Sequence, residues 1–187
     1  MSIFRKNINQ LKNVINNLLI EERVIDSISQ KLVYFCKKKN SKILVCGNGG
    51  SATDSDHFVT ELVVQFKKKN RKAIPAISLS SNPSLITACA NDMDFKFIFK
   101  RQLEALANKT DCIIFISTSG NSENIIEAAK YAKKQNIHSI ALTGNKGGRL
   151  IKFCNQSCII KSKSVARIQE THIFILHHIC EVIDDKL

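Results

Sequence analysis

The spacing of hydrophobic residues predicts helices at both ends of the chain. Near the N-terminus, apolar side chains recur every three or four residues, at Ile8, Leu11, Ile15 and Leu18. This period indicates an amphipathic helix over residues 3–19 with Ser2 as its N-cap, and a second helix is predicted over 22–39. We expect the two to form a helical hairpin that covers either the chain's own sheet or another subunit. A last amphipathic helix is predicted over 165–184.

Between these helices the pattern changes to short apolar runs that are rich in β-branched residues. Five runs are predicted to be strands, at 42–47, 73–80, 111–117, 138–144 and 157–162. Helices are predicted between most of them, at 51–67, 94–107 and 122–135. Continuous apolar strands that alternate with helices are typical of a parallel sheet covered on both faces. The sequence therefore predicts an α/β fold, a three-layer α-β-α sandwich with a five-stranded parallel sheet, as one domain over 1–187 with the hairpin at 1–40 and the core at 41–187.

Two loops that follow predicted strands carry residues suited to binding a phosphate. Residues 47–51 read GNGGS and residues 117–122 read STSGNS. Loops after parallel strands gather at one edge of the sheet, and here both lead into helix N-termini. The glycine-rich loop alone is also compatible with a simple strand-to-helix turn, and it lacks the Lys-Ser/Thr pair of a nucleotide-binding loop. Together with four hydroxyls in the second loop, it favours a sugar-phosphate pocket over a nucleoside triphosphate site.

A histidine and a glutamate follow the first loop on the predicted helix. His57 and Glu61 are four residues apart and share one helix face, and Asp54 lies on that face one turn earlier. Such a pair is common on solvated helix faces, so it does not establish a site by itself.

The predicted C-terminal helix supplies possible partners for this pair. Its sequence places five polar residues among Ile, Phe and Leu: Gln169, Glu170, His172, His177 and His178. Buried polar groups of this kind need partners, but the spacing does not choose between Gln169 and Glu170 as the partner of His177. Two helices therefore carry the side chains of a possible mixed nitrogen and oxygen metal site.

Composition narrows the class of protein. The 187 residues are 44% hydrophobic and 24% charged, and no apolar run approaches the roughly 18 residues of a membrane span. No signal peptide is recognisable at the start, so we expect a cytoplasmic protein without a membrane partner. The seven cysteines are scattered and odd in number, which is typical of reduced, buried thiols, and the pair Cys154 and Cys158 has no second pair to complete a zinc site.

The formal charge of +12 does not by itself indicate a nucleic-acid-binding protein. The lysines are spread over predicted helix ends and loops, and the chain has neither tryptophan nor a zinc-finger spacing. We expect no nucleic-acid partner and a general attraction for small anionic molecules.

Five motifs taken together resemble one family. The stretches CGNGGSATDSDHFVTEL, CANDMDF, STSGNS, ALTGNKGG and ARIQETHIFILHH are similar to those of the bacterial phosphoheptose isomerases, within the sugar isomerase (SIS) superfamily, and the resemblance spans nearly the whole chain. It implies a flavodoxin-like SIS fold and a zinc-dependent homotetramer with one ion per subunit. It also implies conversion of D-sedoheptulose 7-phosphate to D-glycero-D-manno-heptose 7-phosphate, the first step toward the heptose of lipopolysaccharide.

The resemblance also implies roles for individual residues. The zinc ligands would be His57, Glu61, Gln169 and His177. Glu61 and His177 would be the catalytic acid/base residues. The substrate-binding residues would be Asn48, Gly49, Gly50, Ser51, Glu61, Asn91, Asp92, Ser117, Thr118, Ser119, Ser122 and Gln169.

One departure and two alternative functions accompany the resemblance. Many members of the family carry Gly-Arg where this chain has Val64 and Gln65, so substrate contacts near Gln65 are in question. A similar SIS protein without this activity binds the replication initiator DnaA and has Asn in place of His177, so the presence of His177 favours the enzyme. An isomerase of another sugar phosphate is the second alternative, because the phosphate loops are shared.

Overall fold

The chain is built from seven α-helices and five β-strands, and a computed structural model describes all of residues 1–187. The helices are α1 (Ile3–Leu18), α2 (Glu22–Lys37), α3 (Gly50–Val63), α4 (Pro83–Asp92), α5 (Ile98–Leu106), α6 (Glu123–Lys134) and α7 (Val165–Lys186). The strands are β1 (Ile43–Gly47), β2 (Ala76–Ser78), β3 (Cys112–Ser117), β4 (His138–Gly144) and β5 (Gln156–Ile160). No helix combines the length and the apolar character needed to cross a membrane.

The five strands form one parallel sheet with the order β2-β1-β3-β4-β5. The order reverses between β1 and β3, because the chain leaves β1 toward β2 on one side and later enters β3 on the other. In open α/β sheets the carboxyl ends of the strands form a crevice at such a point. The two candidate phosphate loops follow β1 and β3, so both lie at this crevice.

Successive residues of each strand pack into two separate hydrophobic cores. Ile43 and Val45 of β1 belong to the larger core, which also contains side chains of α1, α2, α3 and α7. Leu44 and Cys46 belong to the smaller core with α4, α5 and α6. Each fully buried Leu or Ile side chain stabilises the fold by about 1.5–3 kcal/mol, so a sheet covered on both faces excludes polar residues except at strand ends.

The structure confirms the predicted α/β sandwich and its five parallel strands. Ser2 caps α1, since its side chain accepts a hydrogen bond from the Arg5 N–H at 3.3 Å. The helices α1 and α2 are joined by a 3₁₀ turn over Leu19–Glu21, and both contact α7. All seven cysteines are free thiols.

Three elements differ most from their predictions. Helix α4 was not predicted, although Asn82 caps it by accepting from the Leu85 N–H at 3.0 Å and Pro83 opens its first turn. Strand β2 has three residues instead of the eight predicted, because it is an edge strand preceded by Pro75, which has no N–H to donate. Helix α3 ends at Val63, earlier than the predicted residue 67.

Candidate active site

The loop after β1 is shaped by two glycines. Gly49 is the N-cap residue of α3 and has φ 55° and ψ −124°, a conformation that other residues avoid. At Gly50 a Cβ atom would lie 2.4 Å from Nε2 of Gln169. The absence of a side chain at Gly50 therefore lets the Gln169 amide of α7 approach the loop closely.

The loop after β3 presents hydroxyl groups at the start of α6. Ser117 Oγ accepts a hydrogen bond from the Gly120 N–H at 3.2 Å and lies 3.5 Å from Ser122 Oγ. Ser119 Oγ accepts from the Asn121 N–H at 3.1 Å. Ser122 is the N-cap residue of α6, yet its side chain makes no capping hydrogen bond. Its hydroxyl thus remains available to a ligand at a helix N-terminus, where anions are favoured.

An asparagine pair connects the two loops. The amide groups of Asn48 and Asn124 exchange two hydrogen bonds, of 2.9 and 2.8 Å, across the crevice between β1 and β3. Asn124 is almost completely buried, and its side chain also accepts a hydrogen bond from the Ile125 N–H. Sequence reasoning missed Asn124, because an asparagine in the first turn of a helix looks like an ordinary capping residue.

Beside the loops, side chains of α3 and α7 form a cluster. His57 Nε2 lies 3.1 Å from Glu61 Oε1 and 3.2 Å from His177 Nε2. The Phe66 ring stacks on the His177 imidazole, with ring centroids 5.5 Å apart. The His57 side chain is 46% exposed and that of Glu61 22% exposed, so the cluster is open to solvent.

The donor atoms of this cluster suit a zinc ion by chemistry and pair spacing. His57 Nε2 carries either one hydrogen or one lone pair, so it cannot make good hydrogen bonds to both of its neighbours. Two ligand atoms at zinc-bond length in a tetrahedral site are about 3.3 Å apart, close to both observed distances. However, no group of three or more His, Cys, Asp or Glu side chains is arranged to hold a metal ion. A complete ligand set is therefore not assembled, and the zinc site stays a prediction.

Asp54 adds a partly buried carboxylate one helical turn before His57. Its Oδ2 atom is buried and has no hydrogen-bond partner. Burial raises the pKa of Asp54 to about 6, and the charge of the neighbouring His57 opposes that rise. Burying one carboxylate oxygen without a partner is costly, and a cation nearby would offset the cost.

The remaining polar residues of α7 lie outside the cluster. Glu170 forms an ion pair with Arg167 at 2.6 Å. The side chain that reaches the loop after β1 is that of Gln169. His172 is fully buried, its Nε2 is 3.2 Å from the Thr143 carbonyl oxygen, and burial lowers its pKa to about 4. His178 lines a separate apolar groove between α7 and the N-terminal helices.

The predicted substrate-binding residues Asn91 and Asp92 are exposed, and so are Val64 and Gln65, which replace the Gly-Arg of the family. Asn91 and Asp92 lie at the end of α4, where their side chains are hydrogen-bonded to each other at 2.8 Å. Val64 and Gln65 follow the end of α3 and are also exposed. No side-chain hydrogen bond joins these four residues to the two loops or to the histidine cluster.

The chain is similar to known proteins in sequence and in fold. Residues 5–144 match the SIS domain family. Phosphoheptose isomerase 1 of Campylobacter jejuni is 47% identical over 156 residues, which is 83% of each chain. The probable phosphoheptose isomerase of Thermoplasma acidophilum is 45% identical over 172 residues, 91% of each chain.

A solved structure is similar over the full length. The phosphoheptose isomerase of Francisella tularensis superposes with a TM-score of 0.88 at 33% identity, covering 99% of this chain and 100% of that one. The family match, the sequence relatives and the solved structure each cover most or all of the chain. The chain therefore belongs to the SIS domain family and, within it, to the phosphoheptose isomerases.

Proposed function

We propose that this enzyme interconverts D-sedoheptulose 7-phosphate and D-glycero-D-manno-heptose 7-phosphate, as the first step toward the heptose of lipopolysaccharide. The observation that carries the proposal is the cluster in which His57 Nε2 lies 3.1 Å from Glu61 and 3.2 Å from His177, beside a hydroxyl-lined crevice. Acid/base groups next to an anion-binding loop suit a substrate that is reactive at one end and phosphorylated at the other.

The reaction requires two proton shifts. A ketose–aldose isomerisation moves one proton between the first two sugar carbons and another between their oxygens, through an enediol. Glu61 and His177 are the acid/base residues in this proposal, since carboxylate and imidazole side chains are common general acids and bases in enzymes. The stacked Phe66 ring would hold the His177 imidazole in orientation.

Binding of the phosphate is assigned to the opposite end of the crevice. The hydroxyls of Ser117, Thr118, Ser119 and Ser122 and the N-terminus of α6 would hold it, with residues 48–51 closing the other side. Binding energy gained at the phosphate, away from the reacting carbons, orients the substrate for proton transfer. The predicted contacts of Asn91 and Asp92 with substrate hydroxyls remain part of the proposal.

A zinc ion is part of the proposal, with one ion per subunit. His57, Glu61, Gln169 and His177 would hold it. When bound by these residues, a zinc ion would supply a Lewis-acid charge to stabilise negative charge that develops on the sugar oxygens.

The homotetramer is proposed on the family resemblance and on an unpartnered apolar groove. The groove has a volume of about 220 Å³ and is lined by Ile15, Leu18, Leu19, Ile25, Phe174 and Ile175, among others. Phe174 is 53% exposed beside these apolar residues, and a contiguous apolar patch is typical of an interface. Light scattering of the purified protein would give its mass and test this part of the proposal.

The central test is a coupled assay of the purified protein. Sedoheptulose 7-phosphate is compared with fructose 6-phosphate and ribulose 5-phosphate, before and after chelation and with zinc added back. We expect turnover of the heptulose phosphate, loss on chelation and recovery with zinc. Turnover of another substrate alone would contradict the substrate assignment, whereas full activity of metal-free protein would contradict the zinc assignment.

A further inference from the structure

A buried ion pair connects the two helices that carry the histidine cluster. Arg71 lies in the segment between α3 and β2, and its Nε–H donates to Asp184 Oδ1 of α7 at 2.7 Å. The two side chains are only 3% and 7% exposed. Removing one partner of a pair this well shielded from solvent is costly, because it leaves an uncompensated buried charge.

The other N–H groups of Arg71 hold the last turn of α3. Its guanidinium donates to the Glu61 carbonyl oxygen at 2.8 Å and to the Leu62 carbonyl oxygen at 3.0 Å. Carbonyl groups in the last turn of a helix lack intrahelical partners, so Arg71 supplies hydrogen bonds that the helix itself cannot make there. Arg71 is therefore bonded to the backbone of the residue whose side chain is the proposed acid/base group.

Asp184 holds the same segment from the side of α7. Its Oδ2 accepts hydrogen bonds from the Lys67 and Lys68 N–H groups, both at 2.8 Å. Asp184 follows His177 by seven residues, which is about two helical turns, so both project from one face of α7. The ion pair thus joins the Glu61 turn of α3 to the His177 face of α7.

We infer that Arg71 and Asp184 are positioning residues that set the separation of Glu61 and His177, an inference that rests on the proposed isomerase function. Neither side chain touches the proposed substrate. An arginine is required because its planar guanidinium reaches two carbonyl oxygens and a carboxylate at once, which a lysine ammonium group cannot do.

Asp111 provides a matched control in the same chain. Its carboxylate is fully buried and, like that of Asp184, accepts two backbone N–H groups and one cationic side chain, here from Lys42 and Asn108. It lies at the start of β3, at the amino end of the sheet, and contacts neither α3 nor α7. Asp111→Asn therefore removes a comparable set of bonds without touching the link between the two helices.

The experiment compares Arg71→Lys, Asp184→Asn and Asp111→Asn in the full-length protein. Each variant is assayed for kcat and KM below its melting temperature, and hydrogen exchange is measured in the peptide that spans residues 57–63. For Arg71→Lys and Asp184→Asn, the two link variants, we expect kcat to fall about 10- to 100-fold, as it does when reacting groups are slightly misplaced. KM should stay within about threefold of the wild-type value, because the phosphate loops are unchanged. Exchange in 57–63 should accelerate in these two variants only.

Each outcome decides the inference. Wild-type kcat in both link variants, or an equal fall of kcat in Asp111→Asn, would overturn it, because the effect would then be absent or merely structural. If Arg71→Lys fails to fold, Asp184→Asn decides, since asparagine keeps the shape and an acceptor oxygen for the backbone N–H groups. A wild-type protein without isomerase activity would refute the proposed function alone, and the exchange comparison would still test the link.

Discussion

Ser122 and His177 mark the two ends of the proposed site, and different kinds of contact hold them. The loop with Ser122 is fixed by backbone hydrogen bonds and by neutral side-chain hydrogen bonds such as the Asn48–Asn124 pair. The cluster with His177 lies between two helices that are joined by apolar packing and by the buried Arg71–Asp184 ion pair. The phosphate end is therefore built at the edge of the sheet, whereas the chemical end depends on how α3 and α7 pack.

The comparison predicts that damage at the chemical end lowers kcat most. We expect His177→Ala and Glu61→Gln to reduce kcat by about 10²–10⁴-fold, the usual contribution of general acid/base catalysis, with little change in KM. Steady-state kinetics with sedoheptulose 7-phosphate would measure this. The adjacent His178→Ala, on the groove side of α7, is the control and should keep its activity; near-normal turnover in His177→Ala would disprove the assigned role.

At the phosphate end, the expected effect is on binding. Ser122→Ala should raise KM by about 10- to 100-fold, because a hydrogen bond to a charged group contributes about 1.5–3 kcal/mol. Ser164→Ala is a matched control, since Ser164 is also an N-cap residue without a side-chain capping bond but opens α7 instead of α6. Equal KM values in the two variants would show that Ser122 does not bind the phosphate.

The contact between the two ends can be tested at Gly50. A Cβ atom there would overlap the Gln169 amide, so Gly50→Ala should destabilise the protein by about 1–3 kcal/mol, as overpacking does. Removing the amide in the double variant Gly50→Ala/Gln169→Ala should restore part of that loss. Thermal unfolding of both variants and of Gln169→Ala would measure the coupling, and strictly additive effects would show that the two residues do not meet.

The smallest expected effect is on stability in acid. Burial would raise the pKa of Asp184, but hydrogen bonds from the Lys68 and Lys67 N–H groups and from Arg71 outweigh it, so the pKa lies below its usual value of 3.8. A carboxyl group with a lowered folded-state pKa stabilises the fold above its unfolded-state pKa, and that stability is lost as the pH falls through the folded value. Asp184→Asn should lack this loss, so its melting temperature should change less than that of the wild type between pH 5 and about pH 3. Parallel curves would contradict the prediction.

Much of the fold could be read from local pattern. Five apolar runs separated by helical periods specify a parallel sheet, and the strand over 138–144 was predicted with its observed bounds. Errors arose where local signals were weak. The edge strand β2 is short. Helix α4 has few buried residues and therefore a weak apolar pattern, so it was not predicted despite its capping residues.

The candidate site divides in the same way. The sequence by itself determined the two loops and the His57/Glu61 pair, because turns, helix starts and side chains one turn apart depend only on neighbouring residues. Only the tertiary structure placed Gln169, rather than Glu170, against Gly50, brought His177 to His57, and gave Arg71 its buried carboxylate partner. In sequence, Arg71 belongs to a run of lysines typical of a solvated loop. Its carboxylate partner Asp184 lies 113 positions further along the chain, and only the packing of α7 against α3 brings the two together.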